Sequence, residues 1–291
     1  MVKVLSGFYH VDTPRGELIC RCRGRLRREG MSPVVGDQAK VTVLNDGTGR
    51  LDSVAPRKNL FRRPPVANVD TLVVIVSAVN PVADTFIVDQ VSVLAALKGV
   101  RTVLCINKSD LDPGEELRSI YSRAMMPVIN TSAETGQGID ELLELLGDGI
   151  CAFTGNSGVG KSSILNLIDP DLSITTGQVS ERLGRGRHTT RHTQLYRLPT
   201  GALAADTPGF SAFDIESMEY VAKERLQHAF PEFAPHILKC RYTGCSHTVE
   251  KGCAVLEAME RGEVSASRHA SYVMMYHRAA EINRWDRKGQ E

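Results

Sequence analysis

The sequence of 291 residues lacks the features of exported and membrane-spanning proteins. Residues 1–10 contain no apolar segment behind a basic start, which argues against a signal peptide. The longest largely apolar run, residues 72–79, is far too short to cross a bilayer and is typical of a buried strand. The sequence also has no internal repeat and no low-complexity tract. We therefore expect a cytoplasmic protein without membrane contact.

Cysteine is scarce, and its distribution is uneven. Seven cysteines without an export signal do not indicate a disulfide framework, so we expect thiols that are reduced or bound to a metal. Four of them lie within strand patterns, where packing in the core is the default interpretation: Cys20, Cys22, Cys105 and Cys151. The other three fall within 14 residues near the C-terminus, together with a histidine.

This C-terminal cluster has the spacing Cys-x4-Cys-x-His-x5-Cys and consists of Cys240, Cys245, His247 and Cys253. Three thiolates and one imidazole complete a tetrahedral Zn²⁺ site of the structural kind, with no open position for catalysis. The alternative is a set of buried cysteines with an incidental histidine. The crowding of the four residues favours zinc.

Charge is distributed unevenly behind a net value of +1. Residues 1–65 carry 13 Lys and Arg against 6 Asp and Glu, whereas residues 66–215 carry 11 against 17. Residues 216–291 carry 11 of each sign. Such asymmetry predicts a basic module that contacts nucleic acid, carried by a neutral or acidic body.

The basic segment has the pattern of a small β-barrel. Asn45-Asp46-Gly47 predicts a hairpin turn between strands at residues 40–44 and 50–54. Several short strands in this segment favour an OB-like barrel. Because alternate side chains of a strand share a face, residues 20–27 would present a row of arginines as candidate RNA contacts: Arg21, Arg23, Arg25 and Arg27. The alternative is a solvated edge strand whose arginines deter aggregation.

From residue 71, strand and helix patterns alternate, which is typical of a parallel sheet with helices on both faces. The predicted strands are residues 72–79, 102–106, 127–130, 150–154 and 202–205. The predicted helices are residues 86–97, 115–124 and 139–146, with another opening at Gly160. We expect an OB-like barrel at 1–65, ending near Pro64-Pro65, an α/β domain at 66–214 and a helical zinc-binding domain at 215–291.

Residues 155–162 read GNSGVGKS and match the phosphate-loop pattern GxxxxGK[ST] between a strand and a helix. The glycines allow backbone N–H groups to wrap the phosphates at a helix N-terminus. Lys161 would reach the β- and γ-phosphates, and the Ser162 hydroxyl would bind Mg²⁺. The predicted phosphate contacts are Gly155, Asn156, Ser157, Gly158, Val159, Gly160, Lys161, Ser162 and Ser163.

A second motif selects the base. It is the tetrapeptide Asn107, Lys108, Ser109 and Asp110. The Asp110 carboxylate can accept hydrogen bonds from the N1–H and N2–H₂ groups of guanine, which adenine lacks, so adenine would leave a polar group unpaired. Asn107 would hold the other edge of the base, and the Lys108 stem would cover its face. Ser132 and Ala133 lie at the end of the next strand, in a short loop where a backbone N–H can reach guanine O6.

The sequence DTPG contributes Asp206, which would hold Mg²⁺ through water, and Gly209, whose N–H would contact the γ-phosphate. Before it lies GRGRHTTRH, a glycine- and arginine-rich segment with the character of a mobile switch loop. Thr190 is the predicted second hydroxyl ligand of Mg²⁺, with Thr189 as the alternative.

The motif order is unusual. Ras-like GTPases have the phosphate loop first and the base motif later, whereas here the base motif precedes the phosphate loop. This order predicts a circularly permuted GTPase domain. Phe210 follows DTPG, where Ras-like proteins carry the glutamine that orients the attacking water. We expect His188 to take that role, with His192 or an RNA-contacting histidine as alternatives.

Together, the barrel, the permuted motifs, DTPGF and the Cys/His loop resemble the bacterial small-subunit-dependent ribosomal GTPases, the RsgA, YjeQ or YloQ family. The resemblance covers essentially the whole chain. It implies a cytoplasmic, monomeric factor that binds the small (30S) ribosomal subunit and its rRNA late in maturation. The subunit would stimulate hydrolysis of GTP to GDP. Two alternatives are a nucleotide-gated RNA-binding module with incidental hydrolysis, and a binding protein for DNA or unstructured RNA.

Overall fold

The structure is a computed structural model that describes residues 1–22, 32–62, 64–170, 194–206 and 222–288, without the side chains of 206 and 282–288. The first segment contains β1 (Lys3–Leu5), β2 (Phe8–Thr13), β3 (Gly16–Cys22), β4 (Ala39–Val43) and β5 (Gly49–Val54). These strands are ordered β1-β2-β3-β5-β4, and β3 runs parallel to β5.

This strand order agrees with the predicted OB-like barrel. The hairpin predicted around Asn45-Asp46-Gly47 is confirmed, because β4 and β5 pair in antiparallel fashion. Buried side chains alternate along the strands, as a one-sided core requires, and include Tyr9, Val11, Cys20 and Leu51. The predicted arginine strand is described only as far as Cys22, and residues 23–27 lie outside the described residues.

Two short strands, β6 (Leu60–Arg62) and β7 (Pro65–Ala67), then form a separate pair. The sheet continues with β8 (Val69–Ser77), β9 (Arg101–Asn107), β10 (Val128–Asn130), β11 (Ile150–Thr154), β12 (Gln194–Arg197) and β13 (Leu203–Asp206). The order is β10-β9-β8-β11-β13-β12, and β12 alone runs antiparallel to its neighbour β13 within this part. The predicted strands are therefore present, with ends that differ by no more than three residues.

Helices cover both faces of this sheet: α1 (Thr85–Leu97), α2 (Glu115–Arg123), α3 (Ile139–Leu146) and α4 (Lys161–Ile168). The strand β8 shows why its sequence is apolar throughout. Leu72 and Val74 pack in one core with α1 and α2, while Val73 and Ile75 pack in another with α3 and α4. A parallel strand buried on both faces has no polar side to alternate with its apolar side.

The C-terminal region is helical, as predicted. It contains α5 (Lys223–Leu226), 3₁₀ turns at Gln227–Ala229 and Pro231–Phe233, α6 (Ala234–Ile237), α7 (Ala254–Glu260) and α8 (Ala266–Lys288). Phe230, Phe233 and Tyr272 form the aromatic centre of its core. Val93 of α1 belongs to the same core, so this region packs directly against the α/β sheet domain.

A buried ion-pair network fixes this contact. Arg268 of α8 is 1% exposed and donates to Glu232 at 2.8 Å, to Asp89 at 2.9 Å and to Ser92 at 3.0 Å. Its guanidinium carbon also lies 4.7 Å from the Phe230 ring centroid. Asp89 and Ser92 belong to α1, so one side chain joins the two domains. Burial raises the pKa of Asp89, and Arg268 is the main influence that opposes this rise.

At the opposite end of the sheet, the barrel is attached by backbone pairing. Lys3 of β1 pairs with Gln194 of β12, and the Leu195 amide donates to the Val2 carbonyl at 2.7 Å. Arg197 forms an ion pair with Asp12 at 2.5 Å. The barrel therefore extends the sheet at its edge strand β12. The strand β12 in turn lies next to β13, which ends at Asp206.

We expect Arg268→Ala to lower the free energy of unfolding by about 3–5 kcal/mol, because it leaves two carboxylates buried without their cation. Arg261→Ala is the matched control, since Arg261 pairs with Glu263 on the surface. Urea denaturation followed by circular dichroism measures both. Equal, small effects of the two substitutions would show that the network does not hold the interface.

Candidate nucleotide and metal sites

The phosphate loop lies between β11 and α4, as its motif requires. Thr154 ends the strand, Lys161 begins the helix, and Asn156, Ser157 and Gly158 are exposed. Gly160 has a φ of 94°, and a Cβ at this position would lie 2.2 Å from Asn107 Nδ2. Glycine is therefore required at this position for both its backbone conformation and its close contact.

The predicted base-reading loops follow the neighbouring strands β9 and β10. Asn107 ends β9 and Asn130 ends β10, and Ile106 pairs with Asn130 in parallel register. The carboxyl ends of parallel strands lie at one edge of a sheet, which brings the two loops and the phosphate loop together. The Ser109 amide donates to the Thr131 carbonyl at 3.1 Å, which joins the two base-reading loops directly.

Asn107 connects all three loops. Its side chain is 1% exposed, and its Nδ2 donates to the Val159 carbonyl of the phosphate loop at 2.7 Å. Its Oδ1 accepts from the Ala133 amide at 3.1 Å and from the Thr131 hydroxyl at 3.3 Å. The amide thus uses donor and acceptor groups within the protein, so the structure gives Asn107 a role in organising the site.

Asp110 is exposed, and its orientation is set by a neighbour. Its Oδ1 accepts from the hydroxyl of the fully buried Ser132 at 2.6 Å, and Ser132 Oγ accepts from the Thr135 amide at 3.2 Å. Lys108 has a φ of 62° and donates through Nζ to the Asn80 carbonyl. The Ser109 hydroxyl is buried, so that any contact of Ser109 with a ligand would involve its backbone.

Two residues that brace these loops have no recognisable signal in the sequence. Arg118 of α2 donates to Asn130 Oδ1 at 2.6 Å and to the Val128 carbonyl at 3.2 Å. Asn130 Nδ2 in turn donates to the Pro113 carbonyl at 2.8 Å. An arginine in a helix and an asparagine at a strand end fit any surface pattern, which explains why sequence reasoning missed them.

Several predicted site residues lie outside the described residues: Thr189, Thr190, His188, His192, Gly209 and Phe210. The backbone of Asp206 ends β13 and faces Gln194 of β12. Because Ala205 pairs with Ala152 of β11, Asp206 follows a strand adjacent to the one that leads into the phosphate loop.

The four predicted zinc ligands come together in space. Their candidate ligand atoms all lie within 4.8 Å of one another. His247 Nδ1 is 3.5 Å from Cys240 Sγ and 3.4 Å from Cys253 Sγ, and these two sulfur atoms are 3.9 Å apart. A donor set of three thiols and one imidazole fits Zn²⁺. The cluster is therefore compatible with a zinc site.

The chain around the cluster is held by polar contacts. The Glu250 carboxylate accepts from the Ser246 amide at 2.8 Å, the Thr248 amide at 3.0 Å and the Val249 amide at 3.2 Å. Burial opposes ionisation of Glu250, but hydrogen bonds from the Ser246 hydroxyl and from the Ser246 and Val249 amides lower its pKa to about 2. Burial raises the pKa of Cys245 to about 12, so its thiolate needs a nearby cation at neutral pH.

The other cysteines fit the core-packing interpretation. Cys20, Cys105 and Cys151 are buried within strands, and burial raises the pKa of both Cys105 and Cys151 to about 12. Cys22 is half-buried at the end of β3. Among the residues that the structure describes, the C-terminal cluster is the one group of three or more metal-ligating side chains.

Of the predicted arginine row, Arg21 is described. It is exposed on β3, and its guanidinium carbon lies 4.9 Å from the ring centroid of Phe8, its partner on β2. Arg50 of β5 pairs with Arg21 on the other side. Phe8 is 38% exposed and was missed in the sequence, where a lone aromatic residue resembles a core residue. Arg23, Arg25 and Arg27 lie outside the described residues.

No helix within the described ranges is long and apolar enough to cross a bilayer. Comparison with known proteins gives two family matches. Residues 54–216 match the model described as RsgA GTPase, and residues 1–51 match the RsgA N-terminal domain.

Relatives and solved structures agree with these matches. The small ribosomal subunit biogenesis GTPase RsgA of Caldanaerobacter subterraneus is 39% identical, over 97% of this chain and 95% of that protein. The protein of the same name from Thermotoga maritima is 41% identical, over 91% and 90%. The crystal structure of YjeQ from Thermotoga maritima has a TM-score of 0.82 and 36% identity, covering 96% of each chain.

The crystal structure of YloQ, a circularly permuted GTPase, has a TM-score of 0.81 and 32% identity, over 97% of this chain and 94% of that chain. The predicted fold is therefore confirmed: a circularly permuted GTPase domain between a β-stranded N-terminal domain and a helical region with a Cys/His cluster. Motif order, fold and full-length similarity all lead to one assignment, that the chain belongs to the RsgA GTPase family.

Proposed function

We propose that this chain is a GTPase that acts in the biogenesis of the small ribosomal subunit, which it binds as a cytoplasmic monomer through contacts with rRNA. The observation that carries the proposal is the Asn107 bridge between the base-reading and phosphate loops. It unites a guanine motif and a phosphate motif that are far apart in the sequence. The relatives are small ribosomal subunit biogenesis GTPases by name, which supports the cellular role.

Nucleotide binding divides between the two motifs. Asp110 accepts from the guanine edge, while the backbone of residues 155–163 and Lys161 hold the phosphates. The hydrogen bond from Ser132 supports this role, because it fixes the carboxylate before the base arrives. Preorganisation lowers the ordering cost of binding, and guanine benefits because it can donate to the carboxylate, whereas adenine cannot.

Two metals belong to the proposal. Mg²⁺ would be held by the Ser162 hydroxyl, which lies in the first turn of α4, together with Thr190 and, through water, Asp206. It would neutralise charge on the phosphates during transfer. Zn²⁺ would be held by the Cys/His cluster and would stabilise the C-terminal region, because a closed four-ligand site contributes folding free energy.

For the chemical step we propose that His188 orients the attacking water, with His192 as the alternative. The support is the sequence, because Phe210 has no polar group to offer after DTPG. An imidazole can position water or accept its proton near neutral pH.

RNA contact is proposed for the barrel. Its row of Phe8, Arg21 and Arg50 combines an aromatic ring with two guanidinium groups on neighbouring strands. Arginine side chains attract phosphates, and an exposed aromatic ring can stack on an unpaired base. We propose that the other arginines of the predicted row, Arg23, Arg25 and Arg27, extend this surface.

We expect Asp110→Asn to weaken GTP binding by about 1–3 kcal/mol, the cost of an unpaired polar contact. The variant should gain affinity for xanthosine triphosphate, because the new amide can donate to the C2 carbonyl of xanthine. Fluorescence titration with labelled nucleotides measures both affinities. Asp140→Asn, at an exposed position in the first turn of α3, is the control. Unchanged GTP affinity in Asp110→Asn would refute the base-reading role.

Purified small ribosomal subunits should accelerate GTP turnover by this protein, and large subunits at the same concentration should not. His188→Ala should lower the stimulated turnover rate by about 10²-fold or more, with little change in GTP affinity. Phosphate release measures turnover. Absence of stimulation by small subunits would contradict the proposed function and favour an RNA-binding module with incidental hydrolysis.

A further inference from the structure

Gln227 contacts the histidine of the Cys/His cluster from outside the cluster. Its Oε1 lies 2.8 Å from His247 Nε2, the ring nitrogen that faces away from the thiols. Its Nε2 donates to the Glu224 carbonyl at 3.2 Å. Because the amide N–H₂ is used by a carbonyl, the amide oxygen must be the atom that faces the imidazole. Gln227 therefore offers the ring an acceptor.

That acceptor determines which ring nitrogen carries the proton. A neutral imidazole has one N–H and one lone pair, and a neighbouring hydrogen bond selects between the two tautomers. With an acceptor at Nε2, the N–H is at Nε2 and the lone pair is at Nδ1. The Nδ1 atom is the one that lies within 3.5 Å of both Cys240 Sγ and Cys253 Sγ.

The rest of His247 is held rigidly in this position. It is 1% exposed and has a φ of 58°, a left-handed conformation that is uncommon for residues other than glycine. Its carbonyl accepts from His269 Nε2 at 2.7 Å, and Tyr272 donates to the preceding carbonyl of Ser246 at 2.7 Å. These contacts fix the backbone, whereas the Gln227 contact fixes the ring.

Gln227 also has a notable position in the sequence. It follows α5, the first helix described after the DTPG motif, and begins the 3₁₀ turn that leads into Phe230 of the C-terminal core. The hydrogen bond to His247 spans 20 residues of sequence. It therefore ties the segment 223–229 to the Cys/His loop.

We propose that Gln227 is a positioning residue of the metal site, and that through it the bound metal orders the segment 223–229. The proposal rests on zinc binding by the cluster, which is part of the proposed function. Outer hydrogen bonds of this kind orient metal-bound histidines, and their loss typically costs about 10- to 100-fold in metal affinity.

The test uses the full-length, zinc-loaded protein and three variants. Gln227→Met keeps the length of the side chain and removes the acceptor, whereas Gln227→Glu keeps an acceptor oxygen. Gln38→Met makes the same change at an exposed barrel position. Zinc transfer to a chromogenic chelator measures affinity, and long-range ¹H–¹⁵N spectra of labelled histidine report the proton on His247 Nε2. GDP binding checks that each variant is folded.

We expect Gln227→Met to lose zinc about 10- to 100-fold more readily, to shift the Nε2 proton signal and to speed its exchange. Gln227→Glu should retain most of the affinity, and Gln38→Met should match wild type. Zinc loading should slow amide hydrogen exchange at 223–229 in wild type and much less in Gln227→Met.

Wild-type protein that holds zinc, combined with unchanged affinity and an unchanged Nε2 signal in Gln227→Met, would overturn the positioning role alone. Wild-type protein that binds no zinc would overturn the proposed metal site together with this inference. If Gln227→Met loses zinc affinity as expected but zinc slows amide hydrogen exchange at 223–229 equally in this variant and in wild type, the link to that segment is overturned.

Discussion

The buried side chain of Asn107 is the constraint on which the nucleotide site depends. It donates to the phosphate loop at Val159 and accepts from the loop that contains Ala133. A buried amide without partners would cost about 1–3 kcal/mol, so the loops stay together even without a ligand. The same contact explains Gly160, since a larger residue would collide with the Asn107 amide.

This bridge also explains why the motif order can change without loss of the site. The loops are brought together by the parallel strands β8, β9, β10 and β11 and by side-chain hydrogen bonds, neither of which depends on chain order. The permutation instead changes what lies on each side of the sheet domain. The strands β12 and β13 come last, so the DTPG motif leads towards the C-terminal region.

The two flanking regions are attached by different physical means. The barrel extends the sheet edge through backbone pairing of β1 with β12, next to the strand that ends at Asp206. The C-terminal region is attached by the Arg268 network and an apolar core shared with α1. Backbone pairing at a sheet edge is tolerant of sequence, whereas a buried ion-pair network requires particular residues in particular positions.

Local patterns were sufficient to predict most of the fold. The apolar run of β8, the phosphate-loop motif and the Asn45-Asp46-Gly47 turn each encode their structure within a few residues, and each was predicted correctly. The pairing of β1 with β12 and the contacts of Arg268 and Gln227 were not predictable. They join residues far apart in sequence, and an arginine or glutamine in a helical pattern has the appearance of a surface residue.

In the candidate site, too, local motifs were predictable and long-range contacts were not. The Cys/His spacing predicted a cluster that the structure brings together, and the base motif predicted the position of Asp110 in the loop that follows β9. The contacts of Arg118 with Asn130, of Ser132 with Asp110 and of Phe8 with Arg21 depend on which strands become neighbours, which the motifs alone do not state.

The central claim is that the base and phosphate motifs form one guanine-nucleotide site despite their order in the chain. A crystal structure with a non-hydrolysable GTP analogue and Mg²⁺ tests it most directly. We predict the guanine edge within about 2.7–3.2 Å of the Asp110 carboxylate oxygens while Lys161 contacts the β- and γ-phosphates of the same molecule. A nucleotide whose phosphates occupy the loop at 155–162 while its base lies away from Asp110 would contradict the account.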